Sequence, residues 1–314
     1  MHRFVNRALV ALVVVMGTAA CTAPRTEVTP TPVTVFAAGS LARPLRAALD
    51  SIAASGGPTA RVEIMGSREM IRAITSLGRT PDLIVSSDAD ELERALIPRY
   101  ANSSTTFARN RVVLALSPRS ANASTVTAFN WADRIAVGDL KVARTDPARA
   151  PLGYRTQLVW KLAEATMKRP GLTVKLAAAS PEALLRGNES DLAALLESGN
   201  ADAAWCYESL ARSLHIKYVI LGDSIDLGAD ADSARYASAS VRVPGAQPGD
   251  SVTMVGTPIR YAIAIAAKAP QLQRATELRD RLLDATGVRI MRRIGLDVLD
   301  VPRRSAAAPR SAPL

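Results

Sequence analysis

Two stretches of the sequence place a serine where a strand pattern gives way to a helix pattern. The first is "VTVFAAGSLARPLRAAL", in which Ser40 follows a glycine, and the second is "RVEIMGSREMIRAITSL", in which Ser67 follows a glycine. A helix start offers unpaired backbone N–H groups and the positive end of the helix dipole. Glycine lets a ligand approach the backbone, and serine adds a hydroxyl donor. Two such corners at the ends of parallel strands could bind one anion, although both serines could also simply cap their helices.

Other segments place further helix starts beside these corners. Residues 151–154 precede an amphipathic helix pattern and are a third candidate helix start, and residues 188–191 open a fourth helix. A predicted strand then ends at Tyr207 and Glu208. The sequence therefore supplies several positions at which backbone N–H groups could face one ligand.

The residue types that most catalytic sites need are scarce. The chain has two histidines, His2 and His215, which leaves no histidine cluster for a metal and no convincing Ser/His/Asp set. The sequence contains neither G-x-G-x-x-G nor a Walker A pattern. The acidic pair Asp88 and Asp90 has the position of charges at a helix start. We therefore predict a protein that is not an enzyme and that has no cofactor.

Composition narrows the choice of partner. Hydrophobic residues make up 48% of the chain, which is enough for a sizeable core, whereas aromatic residues make up only 4%. The net charge of +10 is spread among acidic residues without a run of five basic ones. This pattern favours a solvated basic surface over a nucleic-acid site.

The N-terminal segment has the pattern of an export signal. Residues 1–20 combine a basic start with an apolar run too short to span a membrane. Cys21 follows small residues and resembles a lipoprotein cleavage site, the alternative being ordinary cleavage after Ala20. Residues 21–32 are rich in Thr and Pro and are predicted to form an extended tether. The expected location is periplasmic or extracytoplasmic, with a lipid anchor, and Cys206 is then an unpaired buried residue.

Beyond the tether, short apolar strands alternate with helix patterns, which predicts an α/β architecture with parallel sheets. Residues 226–250 are predicted to be a long connection containing one strand, Ser238–Val243. The other predicted strands are Val33–Ala37, Arg61–Met65, Asp82–Ser86, Val112–Leu116, Ile135–Gly138, Val174–Ala177, Ala203–Tyr207, Tyr218–Leu221 and Tyr261–Ala266.

An ordered set of segments adds a family resemblance. They are "FAAGSLARPL", "IMGSREMIRAI", "PDLIVSSDADEL", "YANSSTTFARNRVVLAL", "PLGYR", "SGNADAAWCYESLA", "SIDLG" and "GTPIRYAIAI". In this order, across about residues 33–301, the chain resembles the periplasmic molybdate/tungstate-binding proteins of ABC importers, in the branch first associated with archaea.

The resemblance implies a two-lobed periplasmic-binding-protein fold of type II, with the ligand in the cleft between the lobes. The implied lobe 1 comprises residues 33–114 and about 256–302. The implied lobe 2 comprises about residues 115–255, and residues 303–314 form a flexible tail.

The resemblance also implies which residues bind the oxyanion. Hydroxyl and backbone donors come from Ser40 and Ser67, backbone donors come from Leu152 and Gly153, and Tyr207 and Glu208 stand at the end of a strand. Glu208 is similar to a family glutamate that binds the metal atom of the oxyanion together with an aspartate. The alternative is that Glu208 caps a helix or pairs with a nearby arginine.

The sequence departs from the family at the position of that aspartate. The family pattern is Asp-Pro-x-Gly-Tyr-Arg, but here Ala150 stands where the aspartate is expected. Asp146, four residues earlier, is a weak candidate to replace it. We therefore expect a tetrahedral or five-coordinate oxyanion, held mainly by neutral donors.

The function implied by the resemblance is a monomeric receptor that captures molybdate or tungstate and delivers it to the membrane permease of an ABC importer. Three alternatives remain open at this point. The same fold could bind sulfate, phosphate or a small organic anion. The chain could be a secreted hydrolase or transferase that uses Glu208 as a base, or a scaffold that lost its ligand because of Ala150.

Overall fold

The computed structural model describes residues 31–245 and 249–306. The predicted signal peptide, Cys21 and nearly all of the tether lie outside the described residues. Among the described helices, none combines the length and the apolar character needed to cross a membrane.

Thirteen strands form within the described residues. They are β1 Val33–Ala38, β2 Ala60–Met65, β3 Leu83–Ser86, β4 Ala101–Arg109, β5 Val112–Leu116, β6 Val142–Thr145, β7 Leu185–Arg186, β8 Ala203–Tyr207, β9 Tyr218–Ile220, β10 Ser240–Pro244, β11 Ser251–Val255, β12 Arg260–Ala266 and β13 Asp297–Ala306.

Twelve α-helices form within the same residues, and a short 3₁₀ turn, Gly39–Leu41, leads into the first. The helices are α1 Ala42–Ala54, α2 Ser67–Thr75, α3 Ala89–Leu96, α4 Ala121–Ser124, α5 Trp131–Ala136, α6 Pro151–Thr166, α7 Leu172–Ala178, α8 Glu189–Ser198, α9 Glu208–Ser213, α10 Ser233–Tyr236, α11 Leu272–Leu283 and α12 Ala285–Arg293.

Most of the described strands belong to two mixed sheets. The first has the strand order β13-β4-β12-β3-β1-β2, with β1 parallel to β2 and β3 and the other pairs antiparallel. The second has the order β7-β6-β8-β5-β9, with β6 parallel to β7 and β8 and with β5 antiparallel to its neighbours. Strands β10 and β11 form a separate antiparallel hairpin. The prediction of parallel sheets therefore holds only for part of each sheet.

Strand alternation explains how the first sheet is buried on both faces. Val35 and Ala37 lie on the face that packs with the apolar residues of α1, including Leu45 and Leu49. Phe36 lies on the opposite face, in a second apolar cluster formed with α2 and α3. Successive side chains of a strand point to opposite faces, so a near-continuous apolar run is the pattern expected of a strand covered on both sides.

The chain passes between the two sheets at two neighbouring places, which we call the hinge. One passage is Asn110–Arg111 between β4 and β5, and the other is residues 256–259 before β12. The backbone N–H of Asn110 donates to Ile259 O at 3.3 Å, and Ile259 N–H donates to Leu227 O at 2.9 Å. We call the part built on the first sheet lobe 1 and the part built on the second sheet lobe 2.

Two predicted strands are helices in the structure, and these predictions were wrong. Residues 135–138 overlap α5, in which Trp131 and Ile135 are buried one helical turn apart. Residues 174–177 lie in α7, where Leu172 and Leu176 are buried and Val174 is 72% exposed. Burial at positions i and i+4 is the helical period, and the runs are too short for their apolar content alone to distinguish helix from strand.

Two predicted boundaries also change. Val112–Leu116 was predicted as a strand correctly, but it pairs with β8 and β9 of the second sheet, so lobe 1 ends at the hinge rather than at residue 114. Residues 303–304, predicted to belong to a flexible tail, instead continue β13 and pair with β4. This strand lies at the edge of the sheet, where charged side chains can reach water without disrupting the pairing.

Candidate functional site

Three strand ends of lobe 1 bring serines together at one edge of the sheet. In the parallel pairing of β1 with β2, Ala38 lies opposite Met65, so Ser40 and Ser67 follow at equivalent positions. The end of β3 adds Ser87, which the sequence analysis did not single out. All three serines are buried. We call residues 39–40 the Ser40 corner and residues 66–67 the Ser67 corner.

The Ser67 corner is tied to the neighbouring strand end. Ser67 Oγ accepts a hydrogen bond from the Ser87 backbone N–H at 3.1 Å and lies 3.1 Å from Ser87 Oγ. Ser67 is the first residue of α2, so its own N–H is one of those without a partner inside the helix. The corner therefore combines a helix start with two buried hydroxyl groups.

A loop of lobe 2, residues 146–150, covers the Ser67 corner, and we call this loop the clasp. Arg68 Nη1 donates to Pro147 O at 2.8 Å, and Arg72 Nη1 donates to Ala148 O at 2.9 Å. The backbone N–H of Glu69 donates to Arg149 O at 3.1 Å. A Cβ atom on Gly66 would lie only 2.1 Å from Arg149 O, so this close approach requires glycine.

The predicted residues of α6 lie directly behind the clasp. Pro151 is the first helical residue, where its fixed φ suits the helix, and Leu152 and Gly153 follow, buried. A Cβ on Gly153 would lie 2.4 Å from Pro147 N. Asp146 is half-buried, and its Oδ1 accepts from Ala148 N–H at 2.8 Å, so this carboxylate shapes the turn of its own loop.

The Ser40 corner is connected to the hinge by a chain of side chains. Asn110 Nδ2 donates to Tyr261 Oη at 2.9 Å, and Tyr261 Oη donates to Ser40 Oγ at 2.8 Å. Because the amide nitrogen can only donate, the tyrosine proton must go to Ser40. The hydroxyl hydrogen of Ser40 is then free to donate to another acceptor.

The start of α8 covers the Ser40 corner from lobe 2. Ser190 Oγ donates to Gly39 O at 3.2 Å. A Cβ on Gly39 would lie 2.7 Å from Glu189 Oε2 and 2.8 Å from Glu189 N, so glycine is required here too. Asn188 caps this helix by accepting from Ser190 N–H and Asp191 N–H.

Arg155 links the two corners across the lobes. This buried arginine of α6 donates through Nη1 to Ser87 O at 2.7 Å and to Tyr207 Oη at 2.7 Å. Its Nη2 lies 3.4 Å from Asp88 Oδ2, so the buried positive charge is balanced by a buried carboxylate. Tyr154 Oη also donates to Asp88 Oδ2. The aspartate caps α3, which confirms the helix-start reading of this acidic residue.

Tyr207 occupies the centre of this arrangement. Its ring packs edge-on against Tyr261 with 5.8 Å between ring centroids. Burial raises the pKa of Tyr207 above its ordinary value, so the hydroxyl stays protonated at physiological pH. Since Arg155 donates to the Tyr207 oxygen, the tyrosine hydrogen is free to donate elsewhere.

Glu208 does not share the surroundings of the serines. Its Oε1 accepts from Tyr218 Oη at 3.0 Å, and its Oε2 lies 3.3 Å from Arg111 Nε. These contacts place the carboxylate beside the hinge and correspond to the alternative in which Glu208 pairs with an arginine. Cys206, one residue before Tyr207, is buried and free, and burial raises the pKa of its thiol to about 12.

Of the predicted site residues, Ser40, Ser67 and Tyr207 lie in this arrangement of buried polar groups, which also contains residues that sequence reasoning did not single out. Ser87 carries a usable signal, since it directly follows an apolar strand as the other serines nearly do. The remaining members belong to contacts distant in sequence, which no local pattern indicates. They are Arg155, Tyr261, Asn110 and Glu189.

The fold and this enclosed polar site define a two-lobed binding protein, and comparison with known proteins gives its family. Residues 33–297 match the family of bacterial extracellular solute-binding proteins, and the chain belongs to that family. An uncharacterized solute-binding protein from Petrotoga mobilis is 36% identical over 272 residues, which is 86% of this chain and 84% of the relative.

A second relative and a solved structure carry more specific names. A putative ABC transporter molybdenum-binding protein from Haloferax volcanii is 35% identical over 251 residues, covering 78% of this chain and 75% of the relative. The sulfate-binding protein SubI from Mycobacterium tuberculosis H37Rv superposes with a TM-score of 0.59 over 86% of this chain and 88% of SubI. Its identity of 13% means that this likeness concerns the fold alone.

Proposed function

We propose that the protein is an extracytoplasmic receptor that captures molybdate or tungstate and delivers it to the membrane permease of an ABC importer. The observation that carries the proposal is the continuous connection between the two serine corners. It runs from Ser40 through Tyr261 and Tyr207 to Arg155, and then through Ser87 to Ser67. The relative named as a molybdenum-binding protein supports the choice of ligand.

The chemistry of the donors suits a small, fully ionised dianion. Ser40 and Tyr207 each receive a hydrogen bond from the protein, which leaves their own hydrogens free for the ligand. The Ser67 N–H of α2 and the Leu152 N–H of α6 have no partner inside their helices and add dipolar donors. The predicted donor Gly153 N–H is instead bonded to Ala150 O at 3.0 Å. The charges of Arg155 and Asp88 offset one another, so the affinity rests on uncharged hydrogen-bond donors rather than on an excess of cations.

The carboxylates named in the sequence analysis are poorly placed to bind the metal atom of the oxyanion. Ala150 has no ligand atom, one oxygen of Asp146 binds within its own loop, and Glu208 is engaged by Arg111 and Tyr218. We therefore propose that the ligand stays tetrahedral or five-coordinate. X-ray absorption at the metal edge of the loaded protein tests this, and two carboxylate oxygens on the metal would contradict it.

The proposed setting follows the family, whose members are extracellular. We propose that the chain acts as a monomer tethered through a lipid on Cys21, which keeps the receptor near its permease. Mass spectrometry of the exported protein tests the lipid directly, and an unmodified N-terminus after Ala20 would contradict it.

Calorimetry with molybdate, tungstate, sulfate and phosphate tests the choice of ligand. We expect molybdate or tungstate to bind most tightly and to raise the melting temperature, because a ligand specific for the folded state stabilises it by mass action. Preference for sulfate or phosphate would favour the same fold acting on another anion. Absence of binding by all four would favour a scaffold without this ligand.

Substitution of the serines tests the site. Ser40→Ala and Ser67→Ala should each weaken binding by about 1–3 kcal/mol, the usual effect of removing one donor from a buried charge. Ser124→Ala is the matched control, since this exposed serine at the end of α4 bonds only within its own turn. Unchanged affinity in both corner variants would contradict the proposed site.

A further inference from the structure

Glu189 is a buried carboxyl group without a hydrogen-bond partner. The residue is 1% exposed, and neither Oε1 nor Oε2 has a partner among the described residues. Buried polar atoms are nearly always hydrogen-bonded, so a carboxyl group with two unpartnered oxygens requires an explanation. Glu189 is not among the groups proposed so far to contact the oxyanion.

The position of Glu189 places it in the proposed site. It opens α8 of lobe 2 and packs directly on the Ser40 corner of lobe 1, where its Oε2 restricts Gly39 to glycine. The N–H groups of Ser40 and of Glu189 itself lie near the carboxyl group without the geometry of a hydrogen bond, and their dipoles and the Arg155 charge lower its pKa against the effect of burial. The Glu189 charge in turn acts on the hydroxyl groups of Tyr207 and Tyr261, which are members of the connection between the corners.

No positively charged side chain among the described residues forms an ion pair with Glu189. On α6, Arg155 is already paired with Asp88. On the adjacent strands β6 and β7, Arg144 and Arg186 direct their guanidinium groups to backbone oxygens, those of residues 180, 183 and 185, rather than to Glu189. The remaining ionisable neighbours are Asp191 on the same helix, Cys206 and Tyr207 on β8, and Tyr261 on β12.

The protonation state of Glu189 determines the net charge that a bound dianion would face at the Ser40 corner. With Arg155 and Asp88 cancelling, an ionised Glu189 leaves one negative charge in a closed interior, directly at the Ser40 N–H. A dianion bound at the same corner would be repelled by that charge. A protonated Glu189 removes the repulsion and offers an O–H donor.

We propose that Glu189 contacts the bound oxyanion as the neutral acid, so that binding a dianion is coupled to the uptake of one proton. This inference rests on the proposed function and adds a contact that sets its pH dependence. Burial raises the pKa of Glu189 to about 7, against the opposing influence of its own N–H, the Arg155 charge and the Ser40 N–H. The group is therefore poised to titrate under physiological conditions.

Molybdate calorimetry across pH tests the proposal, because molybdate and sulfate keep a constant charge where Glu189 titrates. The affinity should fall about tenfold per pH unit above the pKa, which amounts to about a hundredfold between about pH 6 and about pH 9. Repeating the titration at about pH 8 in buffers of different ionisation enthalpy should show uptake of close to one proton. Burial raises the pKa values of Cys206, Tyr207 and Tyr261 as well, so their titration lies outside this change.

Glu189→Gln separates the carboxyl group from other titrations, since the amide is neutral at all pH values and keeps a donor. The variant should bind molybdate with nearly constant affinity and should exceed the wild type at about pH 9. Glu182→Gln, at an exposed position of the same lobe, should keep the wild-type pH dependence.

Each outcome decides between the two proposals. Wild-type affinity that is independent of pH, or pH dependence that survives in Glu189→Gln, overturns the role of Glu189 and leaves the receptor function intact. If Glu189→Gln does not fold, the wild-type pH profile and proton uptake still decide. If molybdate, tungstate and sulfate all fail to bind at both pH values, the proposed function fails, and this inference fails with it.

Discussion

The Ser67 corner and the Ser40 corner share one sequence pattern but differ in what covers them. The clasp binds α2 beside the Ser67 corner through the backbone carbonyl oxygens of residues 147–149 and through an ion pair between Arg149 and Glu69. The start of α8 brings a carboxyl group without a partner to the Ser40 corner. Similar local sequence therefore gives one corner whose cover is hydrogen-bonded and ion-paired and one whose cover carries a carboxyl group without a partner.

The local Gly-Ser motif supplies hydrogen-bond donors at each corner, whereas the opposing lobe determines which groups those donors face. The glycine of each corner is needed for the same reason, since a Cβ would collide with lobe 2 in both cases. What differs is the chemistry on the other side of the contact. Substitutions that affect one corner at a time can therefore test whether the two covers act differently.

The largest effect is expected from Arg155, because it serves both corners. Arg155→Met leaves Asp88 buried without its partner and should lower the free energy of unfolding by about 3–5 kcal/mol. Urea denaturation measures this loss. Arg109→Met is the matched control, since its pair with Asp297 is half-exposed and should contribute no more than about 1 kcal/mol. Equal losses in the two variants would show that the corners are not linked through Arg155.

The second-largest effect is expected in the pH dependence of stability, which should depend on Glu189 at the Ser40 corner. The pKa of Glu189 rises from 4.5 to about 7 on folding, so between these values the folded state keeps a proton that the unfolded state has released. The contribution of Glu189 to stability is therefore lost as the pH rises through this window. Glu189→Gln should gain about 2–3 kcal/mol relative to the wild type between about pH 5 and about pH 8.

Chemical denaturation of the ligand-free proteins at the two pH values measures this gain. Arg72→Ala, which removes a clasp contact at the Ser67 corner, should change stability by the same amount at both pH values. A gain in Glu189→Gln that does not depend on pH would remove the distinction between the corners.

The smallest of these effects compares the two glycines. Gly66→Ala would place a Cβ 2.1 Å from the Arg149 carbonyl oxygen, and Gly39→Ala would place one 2.7 Å from Glu189 Oε2. Each should weaken molybdate binding by about 1–3 kcal/mol by obstructing the contact between the lobes. Gly66→Ala should be the more severe, because its Cβ would lie 2.1 Å from a backbone atom, whereas the nearest backbone atom to a Cβ on Gly39 is Glu189 N at 2.8 Å.

Calorimetry gives these affinities, and small-angle scattering shows whether the lobes still approach each other. Thermal unfolding of the ligand-free variants serves as the control for folding. Closure that is unaffected in both variants would mean that the collisions are relieved locally and that the glycines are not required.

Much of lobe 1 near the site could be predicted because its order is local. Strands β1 to β3 alternate with α1 and α2 along the chain, so the parallel pairing that aligns Ser40 with Ser67 follows from short crossovers. Ser87 has a similar signal and was missed because no glycine precedes it. Strand β4 was missed because "ANSSTTFAR" is polar, and its place inside the sheet depends on pairing with β12 and β13.

The surroundings of two carboxyl groups could not be predicted from the sequence. Glu189 and Glu208 both open helices of lobe 2, at positions that look alike in the sequence. Glu208 meets Arg111 and Tyr218, whereas Glu189 meets the Ser40 corner of the other lobe. Only the packing of one lobe against the other distinguishes them, and that packing joins residues that are distant in the sequence.

The hinge has a consequence for release. Asn110 lies where the chain passes from one lobe to the other, and its amide bonds both Ser209 of lobe 2, at 2.7 Å, and Tyr261 of lobe 1. We expect that rotation separating the lobes in the proposed transport cycle breaks the first of these bonds and frees the amide to turn away from Tyr261. The tyrosine then no longer fixes the direction of the Ser40 hydroxyl, so in the proposed transport cycle parting the lobes and surrendering the anion become a single event.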